Sequence, residues 1–272
     1  MQPIGIFDSG IGGLTVARAI ADRLPHVPMV YFGDTAHLPY GDKSPELIRQ
    51  YAQRISVHLK EKGCQAIVVA CNSASSNALE AIQEAVGPEI PVIDVLQPVV
   101  AVVSKRFSGA SVGVIGTRAT IESGGYQRLL TKEGCEVIAM ATPLLASAIE
   151  EGFHNGLVSE ALLDAYLGQG TFNDVDALIL GCTHYPLIAE QIAAFLPSSV
   201  EIINSAEIVA DAVAMVVAGD GVRMEGLDAS IAPVLREFLV SDLTVSFARS
   251  AQRFFGEEVQ LAESSLWSHG IK

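Results

Sequence analysis

The sequence contains an internal repeat, and this repeat restricts the fold more than any other feature. Ile4-Gly-Ile-Phe-Asp-Ser9 is echoed by Val112-Gly-Val-Ile-Gly-Thr117, and Ala66-Ile-Val-Val-Ala-Cys71 is echoed by Ala177-Leu-Ile-Leu-Gly-Cys182. The two pairs of motifs are separated by nearly the same number of residues. The sequence therefore predicts two similar units, in which equivalent strand ends face each other across a cleft.

Strand and helix signals alternate along both copies, which is typical of βαβ units and a parallel sheet. The predicted strands are 4–7, 29–32, 67–70, 91–95, 112–115, 137–141, 177–180, 201–204 and 238–240. The main predicted helices are 14–24, 45–63, 74–85, 206–218 and 242–255, and 219–226 is predicted to be a loop. The fold class is therefore α/β, with two pseudo-symmetric domains that each contain a mostly parallel sheet flanked by helices.

The tail of the chain fits neither copy of the repeat, and we assign it to the first domain. The predicted domains are residues 1–96 with 207–272, and residues 97–206. We expect the active site in the cleft between them, because α/β folds bind ligands at the carboxyl ends of their strands.

Charge and cysteine content restrict the partners and the compartment. The 272 residues carry a net charge of −14, which argues against a nucleic acid or an anionic membrane as the main partner. No signal-peptide pattern precedes the first strand, so we expect a cytoplasmic protein. The four cysteines contain no CxxC pair, which predicts reduced thiols without a disulfide or a zinc site.

Two of the cysteines are candidates for chemistry. Cys71 and Cys182 each follow a predicted strand and precede small polar residues, where backbone amides of a following helix can favour a thiolate. Cys64 and Cys135 have no polar cluster beside them and fit the usual role of a small buried hydrophobic residue.

Other polar loops have both a structural and a functional interpretation. Asp8 opens a glycine-rich turn and is either a helix N-cap or part of a ligand site. The 31–41 segment is either a rigid turn or a substrate loop. Glu150 and Glu151 are typical of a solvated helix end, and His184 is either a core histidine or a partner of the Cys182 thiol.

Together, several motifs resemble those of the glutamate racemases in the aspartate/glutamate racemase superfamily. They are FDSGIGGLTV, GDTAHLPYG, VVACNSAS, GVIGT, PLL followed by IEEG, and LILGCTHYPL. The resemblance implies that two domains enclose one amino acid and that two cysteines invert its Cα without pyridoxal phosphate or a metal. It also implies that the D-glutamate product supplies peptidoglycan synthesis.

The resemblance also assigns site residues. Its catalytic cysteines match Cys71 and Cys182, with Asp8 and His184 as their helpers and Glu150 as the family glutamate, although Glu151 is an alternative register. The implied substrate contacts are Asp8, Ser9, Tyr40, Gly41, Asn72, Ser73, Thr183 and His184. A thiol with a pKa of about 8.5 suits proton transfer in both directions.

Three rival interpretations remain open. The protein could racemise aspartate or another acidic amino acid, or bind an amino acid without chemistry. A pyridoxal-phosphate racemase would need a Schiff-base lysine, and only Lys43 lies near a motif. The sequence leaves the oligomeric state open, a homodimer included.

Overall fold

The computed structural model describes residues 1–218 and 235–268. The predicted loop 219–226 lies outside these residues. The strands are β1 (Ile4–Asp8), β2 (Met29–Gly33), β3 (Ala66–Val69), β4 (Val92–Asp94), β5 (Ser111–Gly116), β6 (Glu136–Ala141), β7 (Ala177–Gly181), β8 (Glu201–Ile203), β9 (Arg236–Val240) and β10 (Leu261–Glu263).

Helices occupy most of the connections between the strands. They are α1 (Leu14–Arg23), α2 (Pro45–Glu61), α3 (Asn72–Val86), α4 (Leu96–Arg106), α5 (Arg118–Glu122), α6 (Gly125–Lys132), α7 (Leu145–Glu150), α8 (Leu157–Leu167), α9 (Ala189–Ala194), α10 (Ser205–Ala218) and α11 (Val245–Phe255). Short 3-10 helices cover Tyr40–Asp42, Tyr185–Ile188 and Ser265–Trp267.

The strands form two sheets, and every strand pair described is parallel. The first sheet has the order β10-β9-β2-β1-β3-β4, and the second has the order β6-β5-β7-β8. The order β2-β1-β3-β4 in the first sheet therefore repeats as β6-β5-β7-β8 in the second. The predicted fold class, with two parallel sheets flanked by helices, is confirmed.

The tail of the chain extends the first sheet. Strand β9 pairs with β2, and β10, which the sequence analysis did not predict, pairs with β9. This sheet membership supports the proposed division into residues 1–96 with 207–272 and residues 97–206. The exact domain boundaries stay a prediction.

Helix ends follow local capping chemistry and differ from the predicted ends by a few residues. Helix α2 begins after Ser44, whose side chain accepts a hydrogen bond from Leu47 N–H, and it ends before Gly63 at a φ of 81°. Helix α11 begins at Val245 and not at 242, because the Thr244 hydroxyl caps it. These ends therefore depend on caps more than on the apolar pattern.

The strand interiors are apolar and buried. All residues of β1, β2, β3 and β7 are buried, as expected for parallel strands covered by helices on both faces. Within residues 1–218 and 235–268, no helix has both the length and the apolar character needed to cross a membrane.

Candidate active site

One cavity lies where the carboxyl ends of the two sheets meet. Its lining comes from segments after β1, β2 and β3 of the first sheet and from segments after β5, β6 and β7 of the second, including helix α7. Every residue predicted for the site lines this cavity, namely Asp8, Ser9, Tyr40, Gly41, Cys71, Asn72, Ser73, Glu150, Cys182, Thr183 and His184. The fold thus brings together residues that are far apart in sequence, while their individual roles stay predictions.

Cys71 lies between β3 and α3 and is buried, with 4 % of its surface exposed. Its Sγ donates a hydrogen bond to Ser9 Oγ over 3.6 Å. Burial raises the pKa of Cys71 to about 12, and the nearby Asp8 carboxylate adds to this increase. Backbone N–H groups of Ala74 and Ser9 act in the opposite direction. The amides thus favour the thiolate as expected, but burial outweighs them and the net shift favours the thiol.

Cys182 has a different environment, which includes a histidine. Its Sγ lies 3.5 Å from Nδ1 of His184, and Nε2 of the same ring lies 2.7 Å from Oε1 of Glu150. Burial lowers the pKa of His184, but the charges of Glu150 and Cys182 outweigh burial and raise it well above its ordinary value. The raised pKa favours the imidazolium form, in which one N–H can donate to the carboxylate and the other to the sulfur.

The two adjacent glutamates have different positions. Glu150 ends α7 and lines the cavity, whereas the exposed Glu151 follows the helix and does not. Of these two glutamates, only Glu150 is hydrogen-bonded to His184. The structure thus places Glu150, and not Glu151, at the cavity, while its role stays a prediction.

Asp8 anchors the glycine-rich turn. Its Oδ2 accepts hydrogen bonds from the N–H groups of Gly10 at 3.1 Å and Gly13 at 3.0 Å, just before α1. Burial raises the pKa of Asp8. The interpretation of Asp8 as a helix N-cap is therefore wrong, because Gly13 is the N-cap of α1 and Asp8 instead anchors the turn before it. The position of Asp8 beside Cys71 and the cavity agrees with the functional interpretation. Gly12 leaves room for His184, because a Cβ there would overlap the imidazole ring.

A second buried carboxylate fixes the Tyr40 loop. Asp34 is fully buried, and its oxygens accept from Tyr40 Oη at 2.6 Å, His37 Nδ1 at 2.9 Å, Ser241 Oγ at 2.8 Å and Trp267 Nε1 at 2.9 Å. The Tyr40 hydroxyl is thus hydrogen-bonded to Asp34, and Tyr40 and Gly41 line the cavity. The sequence analysis missed Asp34, because its donors come from three separate parts of the chain.

Hydroxyl groups of the second sheet were also missed. Thr117 Oγ1 lies 2.9 Å from Ser73 Oγ and 3.0 Å from Thr120 Oγ1, so three hydroxyls form a cluster beside the cavity. The repeat contained the signal for Thr117, since Thr117 occupies the position that Ser9 occupies in the first copy. Helix α11 contributes Phe254, whose ring packs edge-on against His184 at 5.2 Å.

The remaining cysteines lie away from the cavity. All four cysteines are free and buried, and Cys64 packs in an apolar cluster of the first sheet. Cys135 donates from Sγ to the carbonyl of Phe107 at 3.4 Å. Across residues 1–218 and 235–268, no group of three His, Cys, Asp or Glu side chains has an arrangement that could hold a metal ion.

Comparisons with known proteins agree with this geometry. The sequence profile of the Asp/Glu/hydantoin racemases matches residues 14–213. Glutamate racemase of Aquifex pyrophilus is 45 % identical over 204 residues, covering 75 % of this chain and 79 % of that protein. Glutamate racemase of Aquifex aeolicus is 40 % identical over 257 residues, covering 94 % and 95 % respectively.

A solved structure extends the similarity to the whole fold. The glutamate racemase of Francisella tularensis in complex with D-glutamate has a TM-score of 0.88 and 36 % identity, and the match covers 98 % of this chain and 99 % of that one. Sequence and fold together define an amino-acid racemase, which is an isomerase. The chain belongs to the Asp/Glu/hydantoin racemase family and, within it, to the glutamate racemases.

The high pKa of Cys71 predicts a particular response to alkylation. Iodoacetamide reacts with the thiolate, and far below a pKa of about 12 the thiolate fraction grows tenfold with each pH unit. The alkylation rate of Cys71, mapped by mass spectrometry, should therefore increase about tenfold per unit from about pH 7 to pH 10 without a plateau. The same peptide in urea-unfolded protein, as the control, should reach a plateau near the ordinary thiol pKa. A plateau there in the folded protein would contradict the effect of burial.

Proposed function

We propose that this protein interconverts L- and D-glutamate by proton transfer at Cα between Cys71 and Cys182, without a cofactor. The observation that carries the proposal is that both thiols line one cavity, one from each sheet. Racemisation must remove a proton from one face of Cα and return a proton to the other, so two acid/base groups have to flank the carbon. The D-glutamate in the Francisella tularensis structure supports glutamate as the substrate.

The two thiols have different surroundings. Burial and the Asp8 carboxylate raise the pKa of Cys71 to about 12, which favours its thiol form. Cys182 has His184 as a hydrogen-bond partner, and the raised pKa of that imidazole favours its charged form. We infer that Cys182 is the base and Cys71 the acid when L-glutamate reacts.

One turnover then exchanges these roles. The Cα–H bond of L-glutamate breaks as an S–H bond forms at Cys182, and the electron pair left on Cα is delocalised into the α-carboxylate. The S–H bond of Cys71 then breaks as a new Cα–H bond forms on the opposite face, which gives D-glutamate. The enzyme is left with a Cys71 thiolate and a Cys182 thiol, the state required for the reverse reaction.

The cavity is lined by neutral hydrogen-bond donors and by two acidic side chains, a combination that suits the binding of an amino dicarboxylate. The cavity lining includes Ser9, Asn72, Ser73 and Thr183, which carry hydroxyl and amide groups, and also Tyr40 and Gly41. We propose that these groups bind the two carboxylates. Asp8 and Glu150 place negative charge at the same cavity, which attracts the substrate ammonium. Fixing all three groups would hold Cα between the sulfurs and lower the barrier by several kcal/mol.

The wider role follows from the proposed reaction. We propose that the D-glutamate is used for peptidoglycan synthesis, as the family resemblance implies. An aspartate racemase remains the nearest rival, and the relative kcat/KM for the two amino acids decides between them. A binding protein without chemistry would leave the chirality of glutamate unchanged.

The two-thiol proposal predicts that neither active-site cysteine suffices alone. Cys71→Ala and Cys182→Ala should each reduce racemisation in both directions by about 10² to 10⁴ fold, because each removes one proton carrier. Circular dichroism of glutamate, with purified protein and no added pyridoxal phosphate or metal, measures the rate. Cys64→Ala and Cys135→Ala are matched controls that remove buried thiols outside the cavity and should keep activity. Near wild-type racemisation by Cys182→Ala would refute the proposal.

The adjacent glutamates offer a test of the His184 charge. Glu150→Gln keeps the shape but removes the charge that raises the pKa of His184, so burial should then lower this pKa. In the wild type, the His184 ring is charged at any pH below its raised pKa. In Glu150→Gln, the ring already loses its proton when the pH rises past the lowered pKa.

The variant should therefore lose about tenfold or more in kcat/KM at neutral pH and recover part of it on acidification. The control Glu151→Gln removes the exposed charge next to Glu150 and should behave as wild type. NMR titration of His184 measures the pKa directly. An unchanged pKa in Glu150→Gln would contradict this role of Glu150.

A further inference from the structure

The side-chain amide of Asn72 has a hydrogen-bond partner for its oxygen but none for its nitrogen among the described residues. Asn72 is the first residue of α3, lies next to Cys71 and lines the cavity, with 3 % of its surface exposed. Its Oδ1 accepts a hydrogen bond of 2.9 Å from the hydroxyl of Tyr126, a fully buried residue of α6 beside the second sheet. Its Nδ2 is buried without a hydrogen-bond partner among the described residues.

We infer that Tyr126 is a positioning residue that holds the Asn72 amide with its NH2 group available to a substrate carboxylate. The inference rests on the proposed function, in which Asn72 binds glutamate. An NH2 group without a partner in a buried site is unfavourable unless a ligand accepts from it. Nδ2 is therefore an anion-binding donor whose direction depends on what occupies Oδ1.

The hydroxyl of Tyr126 is suited to this task because it keeps its proton. Burial raises the pKa of Tyr126, and the charges of Asp94 and Cys182 raise it further. A protonated phenol donates to Oδ1, the only acceptor of the amide. Without this donor the amide could rotate by half a turn, and its oxygen would then face the carboxylate it should bind.

The hydrogen bond also joins the two halves of the protein. Asn72 follows a strand of the first sheet, whereas Tyr126 belongs to the helices of the second. The donor on one half is thus oriented by a residue of the other half. The Asn72 amide is therefore held in place only when the carboxyl ends of the strands in the two sheets are in contact.

Tyr126→Phe tests this inference with the loss of one oxygen atom. KM for L- and D-glutamate should increase about three- to tenfold, since one restraining hydrogen bond is lost. The value of kcat should stay within about twofold, because the thiols are untouched. An unchanged KM would overturn the inference.

A double-mutant cycle separates positioning from general stability. If Tyr126 acts through Asn72, Tyr126→Phe should have no further effect on KM in an Asn72→Ala background. Tyr185→Phe is a matched control, since this buried hydroxyl bonds to Thr142 and not to Asn72. Any effect of Tyr185→Phe should add to that of Asn72→Ala. Additive effects of Tyr126→Phe and Asn72→Ala would overturn the inference.

A second variant covers the case in which Tyr126→Phe fails to fold. Asn72→Asp keeps the oxygen that accepts from Tyr126 and replaces only the NH2 donor by a carboxylate oxygen. KM should then increase by about tenfold or more, because two carboxylates would face each other. A wild-type KM would show that Nδ2 is not the binding group and would overturn the inference.

Calorimetric binding of D-glutamate repeats the cycle in a Cys71→Ala background, in which racemisation should be too slow to interfere. Wild-type protein that binds glutamate but does not racemise it would refute the proposed function only. Dissociation constants that show no coupling between Tyr126 and Asn72 would refute the positioning role only. The coupled result, in which the Asn72→Ala background removes the effect of Tyr126→Phe, is the one expected.

Discussion

The candidate active site depends on contact between two parallel sheets at the carboxyl ends of their strands. Each sheet alone presents one cysteine at the end of a buried strand, Cys71 after β3 and Cys182 after β7. Because the strand order of one sheet repeats in the other, equivalent strand ends line opposite sides of the same cavity. Hydrogen bonds that cross between the halves, from Tyr126 to Asn72 and between Thr117 and Ser73, link these sides.

The repeat is symmetric in its backbone but not in its electrostatics. Beside Cys71, the Asp8 carboxylate and burial favour the neutral thiol. Beside Cys182, the His184 imidazole has a pKa that the charges of Glu150 and Cys182 raise despite its burial. The two-thiol proposal needs one acid and one base at the start of each turnover. Geometry provides two positions for them, and the charges that surround these positions differ.

The features of this structure that could be predicted are those that local sequence patterns determine. Strand ends, the repeat and the cysteine loops follow from apolar runs and small polar residues, and the predicted site residues all line one cavity. The four donors to Asp34, the strand β10 and the bond from Tyr126 to Asn72 were missed, because each depends on a contact between distant segments. The raised pKa of Cys71 was missed for a related reason: burial depends on the whole fold, whereas the helix-start amides are visible in the sequence.

The central claim is that two different thiols handle the proton on opposite faces of Cα. L-Glutamate is incubated with the wild-type enzyme in D2O, the two enantiomers are separated by chiral chromatography, and NMR of each one tests this most directly during the first turnovers. The two-thiol mechanism predicts that the D-glutamate formed carries deuterium at Cα, while the remaining L-glutamate keeps its hydrogen, since the returned atom comes from Cys71 and the original one stays on Cys182. D-glutamate that retained the original hydrogen, or deuterium appearing equally early in both enantiomers, would contradict it.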